Sequence, residues 1–281
     1  MDEHLKELVN KSIFILREVK SRFNNPAVLY SAGKDSTAML YLIKQAFNGK
    51  VSFPAIHLDT THKFKEIYEF RDKIAKEWNL KLIVGKNDEA IKQGMSPDKF
   101  SRFQCCNALK TITLKNVIKK YNFDAIIVSI RNDEHGVRGK ERYFSPRDKE
   151  FRWKTSKIKQ DGDSGLESLQ DAELSGWNLY STYFGEDVDH VRVHPLLHWN
   201  EIDIWQYIKQ EKLPINPLYF DVNGKRYRSI GCKHCTKSIK SKAKNVDEII
   251  EELKITKTSE RAGRTQDKEE IMEQLRALGY M

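Results

Sequence analysis

The stretch Val28–Leu40, with the sequence VLYSAGKDSTAML, determines how the chain folds around it. An apolar, β-prone run leads into a small polar turn, and an apolar segment with helical character follows. Such a strand–turn–helix junction presents backbone N–H groups and the positive end of a helix dipole to an anion. Gly33 lets the backbone approach a ligand closely, and Lys34 adds a positive charge. The stretch predicts a phosphate-binding turn; the simpler alternative is an ordinary turn capped by a serine or an aspartate.

The spacing within this turn separates it from the P-loop of kinases and GTPases. That motif places four residues between two glycines, followed by lysine and a hydroxyl residue, whereas this chain has SAGKDS. The hydroxyl groups of the turn are nevertheless suited to phosphate oxygens. The predicted ATP-binding residues here are Ser31, Ala32, Gly33, Lys34, Asp35, Ser36 and Thr37.

Strand-like and helix-like segments alternate along most of the chain, which predicts an α/β fold with a parallel, Rossmann-like sheet flanked by helices. The predicted strands are 27–30, 51–58, 81–84, 124–130 and 191–197. The predicted helices are 4–23, 36–47, 63–78, 105–121 and 199–209. Residues 154–190 contain few apolar side chains and predict a flexible insertion. We expect a nucleotide-binding α/β domain over 1–210 and a helical C-terminal region over 211–281.

The composition indicates a polar globular protein. Of 281 residues, 39% are hydrophobic and 32% are charged, and no apolar run approaches the 18 or so residues that a membrane span requires. The first residues, MDEHLK, are acidic and polar, unlike a signal peptide, so we expect a cytoplasmic location. The net charge of +9 points weakly to an anionic partner, because the basic residues are spread along the whole chain.

Two further groups of charged residues follow predicted strands. Asp59 ends the second strand, where ligands sit in parallel sheets, so it is expected beside the nucleotide; a helix cap is the alternative. After the fourth strand come Arg131, Arg138, Lys140 and Arg142, a density of cations suited to a polyphosphate. The alternative for these cations is a charged surface loop. Together with Lys34 and Asp35, Arg131 and Arg138 are the predicted catalytic residues.

The four cysteines form two tight groups, Cys105-Cys106 and Cys232-x-x-Cys235. In a reducing compartment such clustering indicates metal or redox chemistry rather than structural disulfides. Three possibilities stay open from the residues alone: four thiolate ligands of an iron–sulfur cluster, a zinc site, or a redox-active pair. Adjacent cysteines fit zinc less well than the usual two-residue gap does.

The turn SAGKDS resembles the signature of the PP-loop ATP pyrophosphatases, which cleave ATP between the α- and β-phosphates. The chain as a whole is most similar to the sulfonucleotide branch of that superfamily, above all to the small subunit of bacterial sulfate adenylyltransferase. The matching stretches are LYSAGKDS (29–36), HLDTTHKFKEIYEFRD (57–72), RNDEHGVRGKERYFSPRD (131–148), HPLLHWNEIDIWQYI (194–208) and TSERAGR (258–264). The resemblance implies an adenine nucleotide α-hydrolase-like fold with ATP at 31–37. It also implies that Asp59 faces the adenosine, and that Arg131 and Arg138 face the phosphates or the acceptor.

The cysteines depart from that small subunit. Their Cys-Cys plus Cys-x-x-Cys arrangement instead resembles the [4Fe–4S] ligands of adenylylsulfate reductases, which implies a cluster on Cys105, Cys106, Cys232 and Cys235. Those reductases use a further cysteine near the C-terminus as nucleophile, and this chain has no fifth cysteine. A sulfonucleotide reductase of that mechanism is therefore disfavoured.

The resemblance implies an enzyme that adenylylates an oxygen acceptor, with Mg²⁺ neutralising the phosphates. The cysteines and the basic charge favour sulfur incorporation, in particular DNA phosphorothioate modification with a cysteine desulfurase and DNA as partners. The alternative is adenylylsulfate synthesis from ATP and sulfate, with a GTPase large subunit as partner. A nucleotide-binding sensor or scaffold without turnover ranks below both, because Lys34 and Asp35 are intact.

Overall fold

A computed structural model describes residues 2–134, 141–153, 188–261 and 269–279 of the chain. Its main sheet has six strands in the order β3-β2-β1-β4-β6-β5. The strands are β1 (Pro26–Leu29), β2 (Ala55–Leu58), β3 (Leu82–Gly85), β4 (Ala125–Ile127), β5 (Phe144–Arg147) and β6 (His190–Val193). All pairs in this sheet are parallel except β5 with β6. The predicted α/β fold class is confirmed.

Helices cover the sheet and build its connections. The longer ones are α1 (Glu3–Arg22), α2 (Lys34–Ala46), α3 (Lys65–Glu77), α6 (Thr113–Tyr121), α7 (Glu201–Glu211), α8 (Val246–Ile255) and α9 (Glu269–Ala277). Two short helices, α4 (Asp88–Lys92) and α5 (Arg102–Cys106), precede α6. A two-stranded ribbon of β7 (Lys225–Arg226) and β8 (Ile239–Lys240) follows α7.

The first strand is buried on both faces, as a central parallel strand should be. Val28 and Tyr30 pack into the larger core, which includes side chains of α1, α2 and α7, whereas Ala27 packs into the smaller core with residues of α6. Because β2 and β4 pair with opposite edges of β1, the chain reverses its winding direction at this strand. Ligands bind at such switch points, so the topology places a crevice at the turn after β1.

The structure differs from the sequence prediction at several elements. The second strand starts at Ala55 rather than 51, after Pro54, which lacks the N–H that a sheet ladder needs. The predicted helix 105–121 is divided: α5 ends at Cys106, a π-helix spans Asn107–Ile112, and α6 follows. Finally, β5 was not predicted; it contains Pro146, which is tolerated because β5 is an edge strand.

The predicted insertion 154–190 falls mostly outside the described residues, and its last residue, His190, begins β6. Within the ranges that the structure describes, no helix combines the length and the apolar character needed to cross a membrane.

Gly85, at the end of β3, has no room for a side chain. A Cβ there would lie 2.7 Å from Cγ2 of Val117 and 3.2 Å from Cγ2 of Thr113, both on α6. We expect Gly85→Ala to lower the free energy of unfolding by about 1–3 kcal/mol, because overpacking forces the helix and the strand apart. Urea denaturation measures the loss. In the double variant with Val117→Ala the two losses should be less than additive; full additivity would contradict a steric origin.

Candidate active site

A deep cleft opens at the carboxyl ends of the central strands, as the topology predicts. Its volume is about 1140 Å³, including the solvent-open mouth. One part is apolar and is lined by Leu29, Ile56, Leu58, Leu114, Val128 and Ile130. The other part is polar and includes Ser31, Gly33, Asp35, Ser36, Glu260 and Arg261. An apolar region for a planar ring beside a charged region for an acid group suits a nucleotide.

The turn after β1 is held in shape by its own hydroxyl groups. Ala32 has a φ of 64°, which lies in the left-handed region that side chains rarely adopt. Ser31 Oγ accepts a hydrogen bond from the Gly33 N–H at 3.3 Å and lies 3.0 Å from Ser36 Oγ. Thr37 Oγ1 donates to the Gly33 carbonyl at 2.9 Å. The turn is therefore a fixed loop leading into α2.

Tyr219 closes this turn from the far side. Its hydroxyl accepts a hydrogen bond from the Lys34 N–H at 3.0 Å, and a Cβ on Gly33 would lie 3.2 Å from that oxygen. A side chain at position 33 would thus crowd both the turn and the tyrosine. Position 33 therefore requires glycine because the tyrosine hydroxyl lies so close to the backbone.

Lys34 and Arg131 meet at one carboxylate, that of Glu260. The Lys34 Nζ donates to Glu260 Oε1 at 2.6 Å and to Asp35 Oδ2 at 3.0 Å. Arg131 donates from Nη2 to Glu260 Oε2 at 2.5 Å, from Nε to Asp133 Oδ1 at 2.9 Å, and from Nη1 to Asp35. Lys34 and Arg131 are almost completely buried. The structure thus brings three predicted catalytic residues, Lys34, Asp35 and Arg131, into one network.

The charges in this network stabilise one another. Burial alone would raise the pKa of Glu260, but Lys34 and Arg131 hold it far below its ordinary value. Burial disfavours the charged form of Arg131, yet Glu260 and the carboxylates beside it raise its pKa above the ordinary value. Glu260 and Arg131 are therefore both charged at neutral pH.

The other predicted nucleotide residues fall in different places. Arg138 and Lys140 lie outside the described residues. Asp59 does not line the cleft among the residues described; its Oδ1 accepts from the Thr61 N–H at 2.9 Å and from the Tyr68 hydroxyl at 2.8 Å. Its Oδ2 lies 3.2 Å from the Lys86 ammonium. Burial would raise the pKa of Asp59, but these three donors lower it. Its contact with adenosine stays a prediction.

A second lysine, Lys63, enters the cleft from the segment after β2. Its Nζ lies 2.9 Å from Nε2 of His57, whose Nδ1 lies 2.9 Å from the Tyr30 carbonyl. Burial lowers the pKa of Lys63 to about 7, and burial together with Lys63 lowers the pKa of His57 to about 3. His57 is therefore neutral and accepts a hydrogen bond from Lys63, which fixes the amine at the cleft wall.

The four cysteines converge on a smaller cavity beside the cleft. All four line this thiol cavity and all four are buried. Thr60 Oγ1 lies 3.2 Å from Cys232 Sγ, and Arg102 Nη1 donates to Cys235 Sγ at 2.9 Å. The two cysteine groups, more than 120 residues apart in sequence, thus share one site.

The state of the thiols bears on metal binding. Burial raises the pKa of Cys105 to about 12, and the other three cysteines add to that shift. Burial, followed by Cys232, also raises the pKa of Cys235. Without a metal these thiols are protonated, so a metal must displace protons to bind. Among the described side chains, no group of three or more His, Cys, Asp or Glu could hold a metal ion as it stands. Four thiols around one cavity are the donors that a thiolate-bound centre uses, whether zinc or an iron–sulfur cluster.

The thiol cavity and the cleft are neighbours. Cys232 and Lys110 line both of them. The Lys233 N–H also donates to the His62 carbonyl at 2.8 Å, which ties the Cys-x-x-Cys turn to the segment after β2. A group bound in the thiol cavity would therefore lie next to the cleft.

Sequence reasoning missed four residues of this site: Tyr219, Glu260, Lys63 and Lys110. Glu260 lies in TSERAGR, one of the stretches on which the family resemblance rests, but nothing in the sequence assigned it a role. Tyr219 had no local signal, because only the folded chain brings it to the turn, 185 residues away.

Comparison with known proteins agrees with this geometry. Residues 25–238 match the phosphoadenosine phosphosulfate reductase domain. Sulfate adenylyltransferase subunit 2 of Saccharophagus degradans is 40% identical, over 99% of this chain and 97% of that protein. The same subunit of Colwellia psychrerythraea is 38% identical, over 99% and 98%.

Solved structures with 18% identity share the fold. A phosphoadenylyl-sulfate reductase from Candida auris, in a phosphate complex, superposes with a TM-score of 0.52 over 84% of this chain and 98% of that one. FMN adenylyltransferase of Candida glabrata in complex with ATP gives 0.54 over 94% and 89%. The relatives with 38–40% identity confirm the predicted enzyme class, an adenylyltransferase. The chain belongs to the phosphoadenosine phosphosulfate reductase domain family of the PP-loop superfamily, in the group that contains subunit 2 of sulfate adenylyltransferase.

Proposed function

We propose that this chain transfers the adenylyl group of ATP to sulfate, forming adenylylsulfate and pyrophosphate. The observation that carries the proposal is the cleft, in which an apolar region adjoins the turn after β1 and the Glu260 carboxylate, to which Lys34 and Arg131 bind. The identity of about 40% to sulfate adenylyltransferase subunits over nearly the whole chain supports sulfate as the acceptor. That identity does not support DNA phosphorothioate modification, which is the function that the cysteines favour. Because those relatives are named as subunits, we propose that this chain also acts with a larger partner subunit, a GTPase.

The proposed reaction needs alignment and charge rather than a protein nucleophile. A sulfate oxygen attacks the α-phosphorus, and the bond from that phosphorus to the pyrophosphate oxygen breaks. The pyrophosphate leaves with its negative charge, so cations fixed near it lower the barrier. Lys34 and Arg131 are the cations held at the turn for this role. Arg138 and Lys140 remain candidates for holding the acceptor.

The carboxylates of the site explain why a divalent cation is expected. Among the described residues around the turn, four cations are ion-paired with carboxylates: Lys34, Arg131, Arg228 and Arg261 with Asp35, Asp133, Glu134, Glu201 and Glu260. A polyphosphate brought to the turn must therefore compete with these carboxylates for the four cations. Mg²⁺ would supply additional positive charge when bound with ATP, and Asp35 and Glu260 carry the oxygen ligands it prefers.

The test uses the full chain with ATP and ³⁵S-labelled sulfate, with and without a GTPase large subunit, in the presence of inorganic pyrophosphatase. Labelled adenylylsulfate that requires ATP and Mg²⁺ is expected. If pyrophosphate is released without labelled product under every condition, sulfate is the wrong acceptor.

We also propose that Cys105, Cys106, Cys232 and Cys235 hold a [4Fe–4S] cluster. Four thiolates are the usual ligand number of that cluster, and the four thiols surround one cavity. A bound cluster would supply either electron transfer or a rigid link between the two cysteine segments.

Purification without oxygen is expected to give a brown protein with iron and acid-labile sulfide in equal amounts. Cys232→Ser should lose most of the iron and the visible absorbance, because one thiolate ligand is removed. Ser238→Ala, an exposed change on the same segment, should keep both. A colourless protein with one equivalent of zinc would contradict the cluster.

A second candidate function is sulfur incorporation into an adenylylated nucleic-acid oxygen. The observation that favours it is Cys232, which faces both the cleft and the thiol cavity. The assay combines the chain with ATP, duplex DNA and a cysteine desulfurase carrying ³⁵S-labelled persulfide. Label in nuclease-resistant dinucleotides would support this function; label restricted to protein would count against it.

A further inference from the structure

A second cationic cluster lies on one face of the edge strand β5 and its neighbour β6, apart from the cleft. In the antiparallel register Ser145 pairs with Arg192, and Arg147 pairs with His190. Directly paired residues share a face of a sheet, so these four side chains point the same way. The opposite face carries Phe144, Val191 and Val193 and belongs to the main core.

The polar face is buried as completely as the apolar one. Arg147 and Arg192 have no exposed surface, and His190 is 1% exposed. Isolated charges at such positions are costly unless an opposite charge compensates them. The charges of these arginines must therefore be compensated by nearby groups.

One carboxylate, Glu141, serves this cluster. It accepts hydrogen bonds from Arg147 Nη2 at 3.0 and 3.1 Å, from Arg276 Nε at 3.2 Å, and from Ser145 Oγ at 2.7 Å. Burial would raise the pKa of Glu141, but Arg147 and the groups beside it hold it far below its ordinary value. Arg192 donates from Nη2 to a carbonyl, that of Gly279, at 2.5 Å.

The other carboxylates near the cluster are engaged at its edge. Asp148 Oδ1 accepts from the backbone N–H groups of Glu150 and Arg152, and Asp189 Oδ2 lies 2.9 Å from His190 Nδ1. Among the described residues, several guanidinium nitrogens of the cluster have no hydrogen-bond partner. They are Nε and Nη1 of Arg147, Nε and Nη1 of Arg192, and Nη2 of Arg276.

We propose that this cluster binds one small tetrahedral oxyanion, sulfate or inorganic phosphate. Among the described residues, Glu141 is the carboxylate that accepts hydrogen bonds from these guanidinium groups, and five of their nitrogens are left without a partner. Guanidinium N–H groups are the donors that bind the oxygens of such an anion. Burial, followed by Arg147, lowers the pKa of Arg192 to about 9, in keeping with a cation that lacks its counter-ion. None of these three arginines lines the nucleotide cleft among the residues described. The site is independent of the proposed adenylyl transfer.

The test compares thermal unfolding of the full chain in sulfate, phosphate and chloride at matched ionic strength. For the wild type we expect a saturable rise in Tm of about 5 °C at 100 times Kd, which follows from linkage between binding and folding. Lys34→Met, altered only in the cleft, should keep this rise. Arg192→Gln should lose it, and Arg276→Gln, at the more exposed edge, should weaken apparent binding at least tenfold. The tetrahedral anion with the lower apparent Kd is the preferred ligand.

Two results would overturn the site. One is a saturable rise that persists in both arginine variants and disappears in Lys34→Met, which would place the anion in the cleft. The other is a wild-type response equal to that in chloride, together with no sulfate or phosphate released on denaturation, as measured by ion chromatography. Released anion at one equivalent, absent from Arg192→Gln or Arg276→Gln, would instead show that the site is filled on purification.

Discussion

Replacing Lys34 by methionine is expected to reduce pyrophosphate release from ATP by about 10²–10³-fold, the usual cost of removing a fixed group that stabilises charge in the transition state. Methionine keeps most of the buried volume and removes only the ammonium, which is fully enclosed at the turn. The loss should appear mainly in kcat, because the cation acts on charge that develops as pyrophosphate leaves. A coupled pyrophosphate assay measures it.

The matched control is Lys65→Ala, on the exposed start of α3, whose side chain pairs only with Glu69 in the next turn among the contacts described. It should leave kcat unchanged. Circular dichroism and urea denaturation establish that Lys34→Met is folded. A folded Lys34→Met protein with unchanged pyrophosphate release would show that ATP is cleaved elsewhere in the molecule.

Arg131→Gln is expected to lower the free energy of unfolding by about 3–5 kcal/mol, as when one partner of a buried ion pair is removed. Arg131 faces Asp35, Asp133 and Glu260 at once. Without the guanidinium these carboxylates repel one another, and Lys34 alone cannot compensate them. Activity should fall as well, since the same cation faces the phosphate turn.

The pH dependence of this variant follows from the carboxylates. Lys34 and Arg131 lower the pKa of Glu260 in the folded protein. The stability that this ion pairing gives to the fold is therefore fully present above pH 4.5, the ordinary pKa of a glutamate, and is lost as the pH falls below 4.5. The difference in free energy of unfolding between wild type and Arg131→Gln should therefore be constant from pH 7 to about 5.5 and should become smaller below pH 4.5. Urea denaturation at several pH values measures it.

The control for Arg131 is Arg22→Gln, a solvent-exposed arginine paired with Glu18 one helical turn earlier. Exposed pairs of this kind contribute little, so the change should be small and independent of pH. An equal loss in the two variants would mean that the network around Glu260 does not stabilise the fold.

The sequence predicted the elements that depend on neighbouring residues. The β1–turn–α2 unit follows from local hydrophobic pattern and from the residues of the turn, and its bounds agree with the structure to within two residues. At the start of α7 the Asp203 carboxylate accepts the N–H of Asn200 at 2.7 Å, a capping contact between residues only three apart. The family, too, could be recognised, because its motifs are short and contiguous.

The tertiary structure alone decided which distant groups meet. Glu260 is 226 residues from Lys34, yet it binds both cations of the turn. Cys105 and Cys232 line one cavity although they are far apart in sequence, and the 232–235 turn is tied to the segment after β2. The buried arginines of β5 and β6 share a face only through a register that no spacing reveals. Helices and turns are set by contacts within a few residues, which the order of residues displays directly. Contacts between distant segments depend on how the whole chain buries its apolar surface, and they exist only in the folded molecule.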